Sequence, residues 1–149
     1  LIKNKQTVPI TDKNMTRFLL TLQQAVETIM CAIKCAAAGE IIVPNANAAR
    51  VTDIVEAISG MKNYPTKIIG IRPGEKLDEI MISVEEAAYL RKINESNNFS
   101  QQFYAICPRL DFYQGLGQIV NLKKELSSRD NILSVDKLVK LFNENGIYT

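Results

Sequence analysis

Short apolar segments alternate along this chain with amphipathic segments that begin at helix-capping residues. This alternation constrains the fold more than any other feature, because it predicts strands and helices in a β-α-β-α order and so an α/β fold. The four apolar segments cover residues 7–10, 40–43, 67–71 and 102–106. The segment at 67–71 is apolar almost throughout, which suits a strand covered on both faces, as in a parallel sheet.

The first helix carries the clearest sequence signal. Thr21 and Gln24 have the spacing of a capping box. Apolar residues then recur at helical spacing up to Ile33, which predicts a helix that ends near Gly39. A cluster of turn-forming residues at 11–14 closes the strand before it.

Three further helices are predicted by the same reasoning. The second begins at Thr52 and ends at Gly60, and the third follows a second capping box at Ser83 and reaches about residue 92. The last follows Ser134 and ends near Gly146. Residues 77–81 are expected to form a helical turn, and residues 111–133 show no regular pattern.

Composition excludes several classes of function. The formal net charge of the 149 residues is only +2, which gives no electrostatic support for nucleic-acid or membrane-surface binding. The chain has no histidine, so histidine-based catalysis and His-ligated zinc are excluded within it. Its three cysteines, Cys31, Cys35 and Cys107, lack metal-binding spacing and are expected to be buried, reduced thiols of a cytoplasmic protein. No apolar run is long enough to span a membrane.

A candidate anion site follows the third apolar segment directly. In open α/β sheets ligands bind at the carboxyl edge of the strands, where Arg72 and Glu75 flank a Pro-Gly turn. The guanidinium of Arg72 suits phosphate oxygens, and the carboxylate of Glu75 suits vicinal ribose hydroxyls. Arg17, near the start of the first helix, could join Arg72 around a diphosphate. The alternatives are a solvated turn with an incidental ion pair and a surface arginine over an aromatic ring.

Four stretches of sequence together resemble a known group of enzymes. They are VPITDKNMTRFLLTLQQAV at residues 8–26, GEIIVPN at 39–45, RVTDIVEAI at 50–58 and KIIGIRPGEKLDEIMIS at 67–83. In this order they resemble the C-terminal half of bacterial polysaccharide-biosynthesis nucleotide-sugar dehydratases and epimerases, which belong to the extended short-chain dehydrogenase/reductase superfamily. The nearest groups are UDP-N-acetylglucosamine 4,6-dehydratase (inverting) and the capsular UDP-glucose 4-epimerase type.

The resemblance implies a role for each candidate residue. Arg17 and Arg72 would contact the diphosphate of a UDP-sugar, and Glu75 would hold its ribose. Two positions depart from the family pattern: Leu19 stands where an aromatic residue is usual, and Asp78 stands where His or Tyr is common. Both departures could alter the packing around the substrate.

The family's cofactor and catalytic motifs are missing from the sequence. No tyrosine is followed by lysine four residues later, and Gly115-Leu116-Gly117 lacks the third glycine of a dinucleotide turn. We therefore expect no catalytic residue in this chain and no binding of NAD or NADP, which the resemblance implies for the whole enzyme. The chain is expected to be the nucleotide-sugar-binding piece of a longer protein, with the cofactor region upstream or on a separate chain.

The resemblance leaves alternatives for function. A 4,6-dehydratase would oxidise C4 of the hexose and eliminate water across C5–C6, whereas a 4-epimerase would reduce the keto sugar from the other face. A non-catalytic nucleotide-binding module and one product of a split gene are further alternatives. Residues 1–108 are expected to form the nucleotide-sugar-binding part and residues 109–149 a tail with the final helix. We also expect a homo-oligomer when the protein is complete, and open apolar helix faces with marginal stability for this chain alone.

Overall fold

The computed structural model describes residues 1–93, 99–107, 118–120, 122 and 124–147 of the chain. Among these residues four α-helices form: α1 at Leu22–Cys35, α2 at Val51–Ser59, α3 at Val84–Ala87 and α4 at Val135–Glu144. They are interleaved with short strands: β1 Val8–Ile10, β2 Thr16–Leu19, β3 Ile41–Pro44, β4 Asn47–Arg50, β5 Thr66–Ile68, β6 Ile80–Ile82, β7 Leu90–Lys92, β8 Phe103–Ile106, β9 Gln118–Val120 and β10 Leu126–Ser127. The predicted α/β class is confirmed.

The chain folds into two compact units, each built from separate segments. The first unit comprises Leu1–Leu19, Asn47–Glu79 and Ser128–Thr149. The second comprises Leu20–Ala46 and Ile80–Ser127. The final helix, α4, therefore belongs to the same unit as the first strand, β1.

The first unit combines two pairs of strands with two packed helices. Strands β1 and β5 are parallel, and β2 and β4 are antiparallel with Thr16 opposite Arg50. Helices α2 and α4 pack against each other through Ala57, Leu138 and Phe142, which are all buried. Their apolar faces therefore form the core of this unit, and Leu19 packs at its margin.

The second unit contains a four-stranded antiparallel sheet in the order β3-β8-β7-β9. Strands β6 and β10 form a separate antiparallel pair. Cys31 of α1 is fully buried beside Phe103 and Ala105 of β8. Helix α1 thus covers one part of the sheet with its cysteine-bearing face.

Local signals placed several helix ends well, although α1 ends at Cys35 rather than near the predicted Gly39. The Thr21 hydroxyl accepts from the backbone N–H of Gln24, and the Gln24 side chain accepts from the backbone N–H of Thr21, so the predicted capping box of α1 is present. The same reciprocal pair forms between Ser83 and Glu86 at α3. Gly60 ends α2 with a φ of 65°, a left-handed conformation that glycine adopts without steric cost.

Several predicted boundaries were wrong. Residues 77–81 form no helical turn, because Ile80–Ile82 pairs with β10 as a strand. Helix α3 ends at Ala87 rather than near residue 92, since Leu90–Lys92 is taken into the sheet as β7. Thr52 lies inside α2, whose cap position is Arg50, and its hydroxyl donates to the Asp53 side chain.

The predicted strand at residues 67–71 is shorter and more exposed than expected. It runs from Thr66 to Ile68, and Ile68, Ile69 and Ile71 are each about half exposed. Its parallel partner is β1, whereas the larger sheet of the second unit is antiparallel. The expectation of a strand covered on both faces is therefore not met within this chain.

The expected open helix faces are present on α1 but not on α4. Leu22 and Ile33 of α1 are 83% and 73% exposed, and Val26 and Ile29 lie between them on the same side of the helix. Leu138 and Phe142 of α4 are buried instead. The division of the chain at residue 108 stays a prediction, as does marginal stability.

Candidate functional site

The parallel pair of strands in the first unit brings two loops to one edge. Val8 lies opposite Thr66 and Ile10 lies opposite Ile68, so both strands end at the same side. The N–H of Ile69 donates to the carbonyl of Ile10 at 2.9 Å just beyond this pair. The loop of residues 11–15 and the loop of residues 69–79 therefore leave the carboxyl edge together, which is where open α/β sheets bind ligands.

A tight turn orders the start of the second loop. The N–H of Glu75 donates to the carbonyl of Arg72 at 3.0 Å, which closes a four-residue turn. Pro73 is its second residue, and Gly74, the third, has a φ of 82°. Proline followed by a left-handed glycine is the sequence of a type II turn, so these two residues predispose the backbone to this shape.

Glu75 folds back over the turn. One carboxylate oxygen, Oε2, accepts from the backbone N–H of Arg72 at 3.2 Å. The other, Oε1, accepts from Nη2 of Arg17 at 3.3 Å and from the Thr11 hydroxyl at 3.5 Å. A carboxylate has about four acceptor positions, so roughly one remains for a ligand hydroxyl. The Glu75 side chain is 28% exposed, which leaves that position within reach.

The guanidinium of Arg17 lies against the same loop and is 24% exposed. Its Nη1 donates to the backbone carbonyls of Thr16 at 2.7 Å, Lys76 at 3.2 Å and Leu77 at 3.3 Å. Its Nε lies 3.5 Å from Oε1 of Glu79. Arg17 thus interacts with the backbone of the loop and, including Glu75, with two of its carboxylates.

Arg72 differs from Arg17 in its surroundings. Its side chain is exposed, and the part of the chain that the structure describes gives its guanidinium no hydrogen bond or ion pair. The structure therefore brings Arg17 and Glu75 into direct contact and leaves the guanidinium of Arg72 open to solvent beside them. The assignment of all three residues to a UDP-sugar stays a prediction.

A chain of hydroxyl groups that the sequence did not reveal supports the far end of the loop. The Thr16 hydroxyl donates to Oδ1 of Asp78 at 2.6 Å and lies 2.5 Å from the Ser128 hydroxyl. Since each hydroxyl has a single proton, Ser128 must donate to Thr16, and the Ser128 oxygen accepts from the backbone N–H of Glu79 at 2.9 Å. Asp78, which departs from the family pattern, thus accepts a hydrogen bond from within the protein.

No sequence pattern pointed to Ser128, because it lies about fifty residues from the loop that it supports. Thr16 and Ser128 are both buried, at 2% and 0% exposure, and their contact depends on how the first unit folds.

A second polar cluster lies inside the second unit. Arg91 is 1% exposed and Glu40 is 4% exposed. The Nε of Arg91 donates to Oε1 of Glu40 at 2.6 Å, and its Nη2 donates to Oε2 at 2.5 Å. Hydrogen bonding from Arg91, followed by that from the N–H of Ala37, holds the pKa of Glu40 below its usual range. The pair is buried and bidentate, which is the geometry of a structural ion pair.

Cys31 and Cys107 are buried as predicted, whereas Cys35 is only partly buried. Burial, followed by the hydrogen bond from its Sγ to Glu40, raises the pKa of Cys107 to about 11. Burial likewise raises the pKa of Cys31 to about 12. All three cysteines are free thiols. Among the described residues no group of His, Cys, Asp and Glu side chains could hold a metal ion. None of the helices in that part of the chain has the length and hydropathy that a membrane span requires.

A cavity of about 310 Å³ opens elsewhere on the first unit. It lies between the loop at residues 63–66 and α2, and its lining residues include Lys13, Thr52 and Tyr64. None of the three predicted site residues lines it. Lys13 and Glu56 both line the cavity, so its lining carries charges of both signs and has no marked preference for an anion.

Comparison with known proteins places the chain in a family. Residues 1–101 match the family of polysaccharide biosynthesis proteins. The chain is 36% identical over 105 residues to the UDP-N-acetylglucosamine 4,6-dehydratase (inverting) of Campylobacter jejuni subsp. jejuni serotype O:2, covering 70% of this chain and 29% of that protein. It is also 36% identical over 89 residues to the UDP-glucose 4-epimerase of Rickettsia bellii, covering 58% of this chain and 26% of the relative.

A solved structure shares the fold over nearly the whole chain. It is the X-ray structure of Pen from Bacillus thuringiensis, with a TM-score of 0.75 and 25% sequence identity. The similarity covers 99% of this chain and 43% of that one. The chain spans less than a third of the length of the curated relatives named above. By its sequence match and its fold, this chain belongs to the polysaccharide biosynthesis protein family of the extended short-chain dehydrogenases/reductases.

Proposed function

We propose that this chain binds the nucleotide diphosphate of a UDP-sugar, as the substrate-binding part of an enzyme of polysaccharide biosynthesis. The names of its relatives support a UDP-sugar as the substrate class. The observation that carries the proposal is the turn at the carboxyl edge of β1 and β5. There the Arg72 guanidinium, which has no partner among the described residues, follows the same turn as the Glu75 carboxylate, which has an acceptor position to spare.

Arg72 supplies the phosphate contact in this proposal. It is anchored through its backbone N–H to Glu75, while its guanidinium stays in solvent. A guanidinium can give two parallel hydrogen bonds to phosphate oxygens, and the Pro-Gly turn limits the backbone entropy lost on binding. Glu75 offers its remaining acceptor position to a ribose hydroxyl. Arg17, whose guanidinium bonds Glu75 at the same turn, is proposed as the second contact to the diphosphate.

The proposed contacts lie at the nucleotide end of the substrate. Binding energy gained there orients the sugar without touching its reacting carbons. We propose 4,6-dehydration of a UDP-N-acetylhexosamine as the activity of the whole enzyme, with 4-epimerisation as the second candidate, because relatives with both names match the chain.

NAD or NADP does not fit the described residues of this chain. A dinucleotide site needs a glycine-rich junction between a strand and a helix. The junctions leading from β2 to α1, from β4 to α2, from β6 to α3 and from β10 to α4 contain no glycine. We therefore propose that the cofactor of the whole enzyme is held by residues outside this chain.

The test is isothermal titration of the chain with UDP and, separately, with uridine. Arg72→Ala should weaken UDP binding by about 1.5–3 kcal/mol, the range for a hydrogen bond to a charged group. It should leave uridine binding unchanged, because uridine has no phosphate. Lys76→Ala is the matched control, since Lys76 is an exposed cation of the same loop.

Each outcome bears on the proposal. Equal losses for Arg72→Ala and Lys76→Ala would indicate only a general positive field and would contradict a specific contact. If circular dichroism shows that the wild-type chain is folded and it still binds no UDP, the proposal is wrong for this chain.

A further inference from the structure

The segment that begins at Ser128 runs beside β4 in the first unit. The N–H of Ala48 donates to the carbonyl of Asn131, and the N–H of Leu133 donates to the carbonyl of Ala48, both at 2.8 Å. The Asn131 amide also donates to Oδ1 of Asn47 at 3.1 Å. These bonds attach the segment to the pair of strands β4 and β2, and they restrict the position of Ser128 at its start.

Ser128 bonds to the far end of the loop that carries the Pro-Gly turn, through both its backbone and its side chain. Its N–H donates to the carbonyl of Glu79 at 2.9 Å, and its Oγ accepts from the N–H of Glu79 at 2.9 Å. Its hydroxyl proton goes to Thr16, 2.5 Å away, because the Thr16 proton is given to Asp78. Ser128 is fully buried, so the groups that it bonds depend on the protein for their partners.

These groups form a hydrogen-bonded chain with one direction. It runs from the N–H of Glu79 through the hydroxyls of Ser128 and Thr16 to the carboxylate of Asp78. Because Asp78 and Glu79 are adjacent in the sequence, the bonds close a ring that ties this end of the loop to β2 and to the segment after Ser128. Loss of the Ser128 hydroxyl leaves the N–H of Glu79 without its acceptor and Thr16 without its donor, which costs more than the net contribution of one bond.

Two anchors therefore define the loop that carries the turn. At its start the N–H of Ile69 donates to the carbonyl of Ile10, and at its end the ring holds Asp78. Glu75 comes only three residues before Asp78. The Cα atoms of these two residues are therefore at most about 11 Å apart. A shift at the second anchor thus reaches the Pro-Gly turn through a short connection.

From these contacts we propose that Ser128 is a positioning residue for the UDP-sugar site. Acting through Thr16 and Asp78, it holds the loop in the shape that presents the Arg72 guanidinium to the nucleotide. Ser128 lies outside residues 1–101, over which the chain matches its family, and no short-range pattern connects it with the loop. Its effect on affinity rests on the proposed function, whereas its effect on the loop needs no ligand.

The first test measures the loop without ligand, by amide hydrogen exchange. In Ser128→Ala the N–H of Glu79 loses its acceptor, and its exchange should become about tenfold faster. The informative amide is that of Glu75, which is bonded within the turn. Its exchange should become about threefold to tenfold faster, because the second anchor of the loop is weakened. The amide of Leu138 in α4 should keep its rate and so report that the unit remains folded.

Three more variants separate the hydroxyl chain from a change of packing. Thr16→Val nearly keeps the shape of the side chain but removes the hydroxyl, so it should speed the exchange of the Glu75 amide as Ser128→Ala does. Thr16→Ser keeps the hydroxyl and should keep a rate near that of the wild type. Ser134→Ala is the matched control, because the Ser134 side chain is exposed and makes no capping bond, and it should change neither loop amide. A Glu75 amide that exchanges at the wild-type rate in Ser128→Ala or in Thr16→Val would overturn the proposal.

The second test is a double-mutant cycle on UDP affinity. Ser128→Ala and Thr16→Val should each weaken binding about threefold to tenfold, and the double variant should lose less than about twofold more, since both residues act through one chain of bonds. Losses that multiply would show that the two residues act independently, and unchanged affinity would show that this anchor does not position the site; either result contradicts the proposal. If the wild-type chain binds no UDP, the proposed function is wrong, and the exchange of the Glu75 amide still decides whether Ser128 positions the loop.

Discussion

The buried pair of Arg91 and Glu40 gives the sharpest prediction about stability. Replacing Glu40 by Gln keeps the shape of the side chain but removes its charge, and Arg91 then remains charged at 1% exposure. Two charge-assisted hydrogen bonds are lost or weakened, and each contributes about 1.5–3 kcal/mol. Breaking a buried pair by removing one partner costs about 3–5 kcal/mol. We expect Glu40→Gln to lower the free energy of unfolding by an amount in that range.

Urea denaturation followed by circular dichroism and tyrosine fluorescence measures the loss. Because the chain has two compact units, the curves are fitted with one transition only where both probes coincide. Glu27→Gln is the matched control: Glu27 is a partly exposed carboxylate of the same unit that accepts from Ser100. It should change stability by less than about 0.5 kcal/mol, as for most surface substitutions.

A double variant tests whether the stranded charge is the cause. Glu40→Gln combined with Arg91→Met removes both charges, and replacing both partners of a buried pair is often nearly neutral. The double variant should therefore recover at least half of the loss, although the carbonyl of Cys35 loses the donor that Arg91 provides. A loss below about 1 kcal/mol for Glu40→Gln alone would refute the reasoning, since a buried guanidinium that loses its carboxylate partner must cost more than that.

Three further predictions follow from the same contacts. The pKa of Glu40 is lowered in the folded state. The ion pair therefore stabilises the protein at pH values above the ordinary glutamate pKa of about 4.3, and this contribution is lost as the pH falls from there through the lowered pKa. The Tm of the wild type should consequently drop more steeply below about pH 4.5 than that of Glu40→Gln. Thr21→Ala removes the capping hydroxyl of α1 and should lower the free energy of unfolding, measured by urea denaturation, by about 1 kcal/mol. Thr21→Ser keeps a hydroxyl at this position and should lower it much less. Cys107, with its pKa raised to about 11, should react with iodoacetamide at pH 8.5 at least about a hundredfold more slowly in the native chain than in urea.

Each of these has a contrary outcome. Parallel acid profiles for the wild type and Glu40→Gln would mean that the pair does not couple to folding. Equal stability of the Ala and Ser variants at Thr21 would show that the cap contributes nothing. Native alkylation of Cys107 at the unfolded rate would indicate that its burial is transient.

Sequence alone was sufficient where the determining interactions lie within one turn of the chain. The capping boxes at Thr21 and Ser83 and the left-handed Gly60 each join residues three or four apart, so their spacing predicts the structure. The turn from Arg72 to Glu75 belongs to the same group, because Pro73 and Gly74 favour it locally. The family resemblance rested on these same stretches and was confirmed.

Tertiary structure alone decided which strands pair and which polar groups meet. Leu90–Lys92 extends a helical pattern in the sequence, yet pairing with β8 and β9 makes it a strand. Strands β2 and β4 were not predicted, since four residues carry too little periodicity to be recognised.

The candidate site shows the same division most clearly. The sequence by itself identified Arg17, Arg72 and Glu75 as chemically suited to a nucleotide diphosphate, and it placed the turn that carries two of them. It could not show that Arg17 is bonded to Glu75 while the Arg72 guanidinium has no partner within the described ranges, because Arg17 and Glu75 are 58 residues apart. Ser128 and Thr16, 112 residues apart, are joined only in the folded unit. Local propensity determines turns and caps, whereas contacts between distant residues depend on the packing of the whole unit, which no short stretch of sequence encodes.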